Sequence, residues 1–136
     1  MVTKIEHLGI AVSDIDTANK LYEQLLGFPA YKQEVVESEK VVTSFFKTGD
    51  SKVELVAATH DESPIARYIE KRGAGIHHVA FAVDDIMAEL ARLKKHGFSL
   101  INESPKDGAD NKLVAFIHPK STGGVLVELC QEKPKE

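Results

Sequence analysis

An internal repeat constrains the fold of this chain more than any other feature of its sequence. Residues 5–15 (IEHLGIAVSDI) and residues 76–86 (IHHVAFAVDDI) match at an offset of 71 positions, with Ile, His, Ala, Val, Asp and Ile recurring in step. In each copy an apolar pattern of helical spacing follows and ends in a Gly-Phe pair, at 27–28 and at 97–98. The sequence therefore predicts two copies of one structural module.

Each copy carries signals for one helix that lies between the first strand and three further strands. Asp14 or Asp16 in the first copy, and Asp84 or Asp85 in the second, can cap the helix N-terminus, and the following glycine suits its left-handed end. Runs rich in β-branched and aromatic residues predict the later strands. These strands are at residues 35–36, 41–46 and 53–56 in copy one, and at 99–102, 113–117 and 125–130 in copy two.

The two modules are expected to form a single domain over residues 1–136, since a chain of 136 residues is of one-domain size. Module one spans about residues 3–58 and module two about residues 75–131. Between them, Ser63-Pro64 and Gly73 mark the start and the end of a linker helix at about 63–72.

Composition excludes several classes of protein. Lys and Arg number 17 against 21 Asp and Glu, and a net charge of −4 argues against nucleic acid as a partner. No apolar stretch approaches the roughly 20 residues that cross a bilayer, and the N-terminus lacks a signal-peptide pattern, so we expect a cytoplasmic protein without a membrane partner. The one cysteine, Cys130, excludes an internal disulfide and a Cys-rich zinc site. Any bound metal must use His and carboxylate ligands.

Strand alternation places one histidine of each copy on an open face of the sheet. His7 and His78 share their faces with Gly and Ala, whereas the bulky apolar residues of both strands, and His77, occupy the face that packs against the helices. A histidine among small residues suits a surface on which a ligand lies. Taken alone, each of these two histidines would more simply be an ordinary core or surface residue.

The last strand of each copy repeats the pattern with a carboxylate. Glu54 in the sequence VEL at 53–55 corresponds to Glu128 in VEL at 127–129, and each alternates with apolar neighbours. A single Glu in a strand usually faces solvent, but four ligand-type residues recur here in register. Two imidazoles and two carboxylates can hold one divalent ion. The predicted metal ligands are His7, Glu54, His78 and Glu128.

These residues resemble those of the vicinal oxygen chelate superfamily (glyoxalase, bleomycin resistance, dioxygenase) and, within it, the methylmalonyl-CoA epimerases, over nearly the whole chain. The motifs are IEHLGIAV at 5–12, DESPIA at 61–66, GIHHVA at 75–80, HPK at 118–120 and GVLVEL at 124–129. The resemblance implies an α+β fold in which two tandem βαβββ modules form a curved, eight-stranded mixed sheet around a metal site, with the helices on its outer face.

The resemblance also implies a function, a metal-dependent epimerase (racemase) that interconverts the 2R and 2S forms of methylmalonyl-CoA. The α-proton leaves to give an enolate that the metal stabilises. His7, His78 and Glu128 fall on family metal ligands, and Glu54 falls on a ligand position that is Gln in some members. One ion per chain is implied, with cobalt favoured and zinc, nickel, manganese or magnesium as alternatives.

Inversion of the α-carbon requires two acid–base groups, one on each side of that carbon. Glu128 is the candidate catalytic residue for one of them. In some members a glutamate on the third strand of module one is proposed as a base, and the matching position here is Thr43, which is a poor base at neutral pH. The second group therefore stays unassigned, and Thr43 and Lys120 are kept as candidates for contacting the substrate.

Two other functions fit the same resemblance. A glyoxalase I (lactoylglutathione lyase)-like isomerase uses a similar metal cage, but the motifs at 61–66 and 118–120 favour an epimerase. A non-enzymatic small-molecule-binding or resistance protein typically lacks the cage, so the four ligand-type residues argue against it. The expected partners are a small acyl-CoA substrate and, because relatives are often dimers, a second copy of the chain.

Overall fold

The computed structural model describes residues 1–134, which form eight β-strands, three α-helices and two short 3-10 helices. The strands are β1 (Val2–Ala11), β2 (Lys32–Val36), β3 (Val41–Thr48), β4 (Ser51–Ala58), β5 (Gly75–Val83), β6 (Lys106–Gly108), β7 (Lys112–Ile117) and β8 (Val127–Glu132). The α-helices are α1 (Ile15–Leu26), α2 (Pro64–Arg72) and α3 (Ile86–Lys95). The 3-10 helices are Glu37–Glu39 and Pro119–Ser121.

The strands form one hydrogen-bonded sheet in the order β2-β3-β4-β1-β5-β8-β7-β6. Strands β5 and β8 run parallel, while the pairs β2–β3, β3–β4, β6–β7 and β7–β8 run antiparallel. Each copy of the repeat thus contributes four strands to a mixed sheet. The predicted α+β class with an eight-stranded mixed sheet is confirmed.

The contacts between residues divide the chain into two compact units. Unit 1 contains Met1–His7 and the chain from His78 onward, and unit 2 contains Leu8–His77. The start of β1 therefore belongs with β5, and the Thr3 hydroxyl donates a hydrogen bond to the carbonyl of Ala82.

In unit 1, helix α3 packs against β7 and β8. Ile86 and Leu90 of the helix contact Ala115, Ile117 and Leu129 of the two strands, and all five are buried. The Asp85 carboxylate caps α3 by accepting from the Ala88 N–H at 3.1 Å, as one of the two alternatives from the sequence predicts. Alternation along β7 and β8 then leaves Val114 and Cys130 on the other face of the sheet, where they pack with Ala80.

In unit 2, helix α1 packs over β3 and β4. Ala18 contacts a buried cluster that includes Phe46 and Leu55. Asp14 caps the N-terminus of this helix, and Gly27 ends it with φ of 87°, as predicted. Helix α2 begins after Ser63, whose hydroxyl accepts from the Ile65 N–H, with proline in the first turn.

The predicted strand at residues 99–102 is wrong. Leu100 forms only an isolated bridge to Ile117, because the Asn102 side-chain oxygen accepts the Phe116 N–H at 2.9 Å and stops the ladder. The strand that lies at the edge of unit 1 is instead β6, which pairs with β7 across a turn. Asp110 and Asn111 in this turn have φ of 58° and 59°, a conformation that Asp and Asn tolerate better than most residues.

No helix among the described residues is both long and apolar enough to cross a membrane.

Candidate metal centre

Three buried side chains of unit 1 converge on one point. His7 Nε2 lies 3.0 Å from His78 Nε2, and Glu128 Oε1 lies 3.2 Å from His78 Nε2 and 3.6 Å from His7 Nε2. Each of the three residues is less than 8% exposed. The structure thus brings together three of the four predicted metal ligands.

Neighbouring strands of unit 1 position these side chains. His7 comes from β1 and His78 from β5, while Glu128 comes from β8, which pairs in parallel with β5. Ala80 lies opposite Glu128 on one side, and Phe116 of β7 lies opposite it on the other. The Phe116 ring meets the His78 ring edge to face at 5.9 Å and so packs beside the ligand group.

The donor set fits a divalent transition-metal ion. Imidazole nitrogen and carboxylate oxygen suit zinc, cobalt, nickel and manganese. Two such atoms that bind one ion at right angles lie about 3 Å apart, given bonds of about 2.0–2.2 Å. The three distances of 3.0, 3.2 and 3.6 Å are close to that spacing. The residues present can therefore share one ion without a large rearrangement.

Glu128 is ionised in this environment. Burial alone would raise the pKa of its carboxyl, but the attraction of the neighbouring His7 and His78 imidazoles outweighs burial and lowers that pKa from 4.5 to about 2. The carboxylate is therefore held as an anion among imidazole donors. An anionic oxygen is the form that a metal ligand requires.

Glu6 is a further buried carboxylate beside these ligands, and the sequence analysis missed it. Its Oε1 lies 2.8 Å from His7 Nδ1. The other nitrogen of the same ring, Nε2, is the one that faces His78. Strand alternation assigns Glu6 to the opposite face from His7, so alternation alone gives no reason to pair them. The signal that could have revealed it is an acidic residue directly before a candidate ligand histidine.

Cys130 belongs to a second possible grouping. Its sulfur, a Glu6 oxygen and a His7 nitrogen all lie within 4.8 Å of one another. The Cys130 thiol is buried and lies 3.6 Å from the Phe81 carbonyl, to which it can donate. The described part of the chain therefore offers two ligand sets that share His7.

The remaining predicted site residues lie elsewhere in the chain. Glu54 is buried in β4 of unit 2, opposite Phe45 of β3. Thr43 is buried in β3 of the same unit, opposite Val56. Lys120 is exposed in the 3-10 helix after β7, where its backbone N–H donates to the His118 ring. The roles of Glu54, Thr43 and Lys120 stay predictions.

His77 has different surroundings from its neighbour His78. Its ring packs edge to face on Tyr68 of α2 at 4.7 Å, within unit 2. The alternation argument that selected His78 over His77 therefore agrees with where the two rings lie.

Comparison with known proteins gives a family. A family model described as Glyoxalase/Bleomycin resistance protein/Dioxygenase superfamily matches residues 6–116. The chain is 41% identical over 132 residues to the uncharacterized protein YqjC of Bacillus subtilis. This match covers 97% of this chain and 94% of YqjC. It is 38% identical over 133 residues to the ethylmalonyl-CoA/methylmalonyl-CoA epimerase of Cereibacter sphaeroides. That match covers 96% of this chain and 99% of the enzyme.

A solved structure agrees with these relatives. A variant of the Streptomyces coelicolor methylmalonyl-CoA epimerase, in complex with 2-nitronate-propionyl-CoA, superposes with a TM-score of 0.95 at 31% identity. The match covers 100% of this chain and 99% of that one. The resemblance that the sequence motifs indicated is confirmed. The chain belongs to the glyoxalase/bleomycin resistance protein/dioxygenase superfamily, and within it is an epimerase, an enzyme of the isomerase class.

Proposed function

We propose that this enzyme interconverts the 2R and 2S forms of methylmalonyl-CoA by removing and returning the α-proton. The observation that carries the proposal is the buried convergence of His7, His78 and Glu128 in a chain whose relative from Cereibacter sphaeroides is named for ethylmalonyl-CoA and methylmalonyl-CoA. The solved epimerase in complex with 2-nitronate-propionyl-CoA supports an acyl-CoA as the substrate class.

We infer that His7, His78 and Glu128 hold one divalent metal ion. Such an ion, when bound, supplies a Lewis acid that stabilises negative charge on a substrate oxygen. The two imidazoles would contribute neutral nitrogen donors, and Glu128 would contribute the negative charge that its low pKa maintains. Cobalt is the ion proposed from the resemblance, with zinc, nickel, manganese or magnesium as alternatives.

Glu54 is proposed as the fourth ligand on the sequence repeat alone. Its VEL segment at 53–55 corresponds to the VEL segment that contains Glu128. A Glu54→Gln variant keeps a side chain of the same size, and glutamine is a weaker donor than carboxylate. We therefore expect weaker metal binding at an unchanged stoichiometry, and an unchanged affinity in a cobalt titration would remove Glu54 from the ligand set.

Glu128 is also the proposed acceptor of the α-proton. While both imidazoles lie beside its carboxylate, the low pKa makes it a weak base. Proton acceptance therefore belongs to a state in which Glu128 has moved away from one or both imidazoles.

The test of the proposal is a comparison of two substrates on the same metal-loaded protein. A single 2R or 2S epimer of methylmalonyl-CoA should become a mixture of both epimers, whereas the hemithioacetal of glutathione and methylglyoxal should not be isomerised. Isomerisation of the hemithioacetal without epimerisation would favour the glyoxalase I-like alternative. Tight binding of a drug by metal-free protein, with neither reaction, would favour the non-enzymatic alternative.

One open assignment and two further predictions accompany the proposal. The second proton-transfer group is unassigned, because Thr43 occupies the position at which some family members have a glutamate. Assembly as a homodimer and a cytoplasmic location also stay predictions, and size-exclusion chromatography with light scattering would test the first of them.

A further inference from the structure

We propose that Glu6 is a positioning residue that keeps the proton of His7 on Nδ1 and so presents His7 Nε2 as a lone-pair donor. The inference rests on the proposed function, since it concerns the same ligand group. It assigns a role to a buried carboxylate that the metal site and the proton transfer leave unused.

The hydrogen bond between Glu6 and His7 decides which ring nitrogen carries the proton. Glu6 Oε1 lies 2.8 Å from His7 Nδ1, and both side chains are 5% exposed. An ionised carboxylate can only accept, so the Nδ1–H of His7 must donate. A neutral imidazole has one N–H, and its other nitrogen, Nε2, then carries the lone pair.

The lone pair on His7 Nε2 faces the other two ligand atoms. This nitrogen lies 3.0 Å from His78 Nε2 and 3.6 Å from Glu128 Oε1. A carboxylate that accepts a hydrogen bond from the N–H of a metal-binding imidazole fixes the orientation of the ring and raises the basicity of its other nitrogen. Because the ring of His7 separates Glu6 from those atoms, the role of Glu6 is to position His7 rather than to transfer a proton to substrate.

The burial of Glu6 supports this role. Glu6 is 3% exposed, and removal of a carboxylate from water is unfavourable unless hydrogen bonds compensate for it. Adjacent residues on a strand normally point to opposite faces, yet the carboxylate of Glu6 reaches the ring of the next residue. An isosteric glutamine could fill the same space without the charge.

A competing use of Glu6 is as a direct ligand. Glu6, His7 and Cys130 offer atoms within 4.8 Å of one another, so an ion could bind there instead. In that case His7 Nδ1 would have to lose its proton, and a Cys130 thiolate would coordinate the ion. The two uses predict opposite tautomers for His7 and different spectra for the cobalt protein.

The decisive experiment is nitrogen-15 NMR of the histidine rings in metal-free protein. In wild type, His7 should show a protonated Nδ1 and an unprotonated Nε2. Glu6→Ala should shift His7 toward the other tautomer or a mixture of the two, and Glu6→Gln, whose amide oxygen can still accept, should shift it less. Glu89→Gln is the matched control, because Glu89 is a buried carboxylate of unit 1 that pairs with Arg92 instead. It should leave the His7 signals unchanged.

A cobalt titration gives a second readout. Glu6→Ala should bind cobalt about 10- to 100-fold more weakly than wild type, Glu6→Gln should lie between them, and Glu89→Gln should match wild type. A wild-type His7 with its proton on Nε2, or a tautomer and an affinity that Glu6→Ala leaves unchanged, would overturn the proposal. A thiolate-to-cobalt absorption band that Cys130→Ser removes would also overturn it in favour of the direct-ligand use.

These readouts separate the proposal from the proposed function. The tautomer is measured without metal or substrate, so it tests Glu6 even if the protein epimerises nothing. If wild type shows the expected tautomer but binds no cobalt, the proposed metal site fails and the positioning of His7 by Glu6 is still supported.

Discussion

His7 Nε2 lies 3.0 Å from His78 Nε2 although the two residues are 71 positions apart in the chain. That separation equals the offset of the sequence repeat, so the two nitrogens come from equivalent positions of the two copies. The duplication thereby brings two identical nitrogens together, with the two rings edge to face at 5.1 Å. A carboxylate from the last strand of the second copy completes the group.

The first prediction concerns this histidine pair. His7→Ala and His78→Ala should each lose cobalt binding and α-proton exchange, because each removes one of three converging donors. His77→Ala is the matched control, since this ring packs on Tyr68 and is the immediate neighbour of His78 in sequence. Metal content by elemental analysis checks the result. Stoichiometric metal in His7→Ala would contradict the assigned site.

A second prediction separates the two proposed roles of Glu128. Glu128→Gln keeps the size of the side chain but removes the charge and the ability to accept a proton. If Glu128 is a base as well as a ligand, the rate of α-proton exchange should fall by a larger factor than the affinity for metal. Rates measured at saturating metal, alongside a cobalt titration, give the two factors. Equal losses would show that Glu128 is a ligand only.

The low pKa of Glu128 gives a prediction about pH. Because the neighbouring imidazoles of His7 and His78 lower that pKa to about 2, the carboxyl carbon signal of Glu128 in metal-free protein should stay constant from about pH 7 down to about pH 4. Since the pKa is lower in the folded state, ionised Glu128 stabilises the fold above about pH 4.5. This contribution is lost as the pH falls toward about 2. A carboxyl signal that titrates near its ordinary value would contradict the geometry.

Gly108 of β6 should tolerate no side chain while Val114 is present. A Cβ on Gly108 would lie 2.7 Å from Val114 Cγ1 and 3.0 Å from Cγ2. Val114 packs with Ala80 and Cys130, so it cannot move without disturbing that cluster. Gly108→Ala should lower the free energy of unfolding by about 1–3 kcal/mol, as measured by urea denaturation.

A double variant provides the control for Gly108. Val114→Ala removes both Cγ atoms of residue 114. Its Cβ remains and would lie 3.4 Å from a Cβ on residue 108, which is an ordinary contact. Gly108→Ala should then cost much less than it does in wild type, a coupling of about 0.5–3 kcal/mol. Additive effects of the two substitutions would show that the clash does not determine the cost.

The sequence predicts the two converging histidines because two independent regularities agree on them. Alternation along a strand selects His78 rather than His77, and the repeat pairs it with His7. The helix ends follow from local chemistry in the same way, with Asp14 and Asp85 as caps and Gly27 in a left-handed conformation. Alternation and helix capping depend on residues that are close in sequence, and the repeat is a match between two segments of the sequence, so each signal can be found without the structure.

Features that depend on contacts between distant residues could not be predicted in this way. Residues 99–102 have the composition of a strand. However, the Asn102 side-chain oxygen accepts a hydrogen bond from the Phe116 N–H, and this ends the strand pairing with β7. Strand β6 is only three residues long and contains Gly108, so composition gives it no strand signal. Glu6 was missed for a different reason: it is adjacent to His7 in sequence, but alternation assigns the two residues to opposite faces, whereas the Glu6 carboxylate lies 2.8 Å from the His7 ring.

The most direct test of the central claim is proton NMR of methylmalonyl-CoA in deuterated water with cobalt-loaded protein and with metal-stripped protein. The proposed function predicts loss of the α-proton signal with the loaded protein at a rate far above that of the stripped control. An α-proton signal that persists although cobalt remains bound would contradict the proposal and show that the same ligand group serves a different substrate.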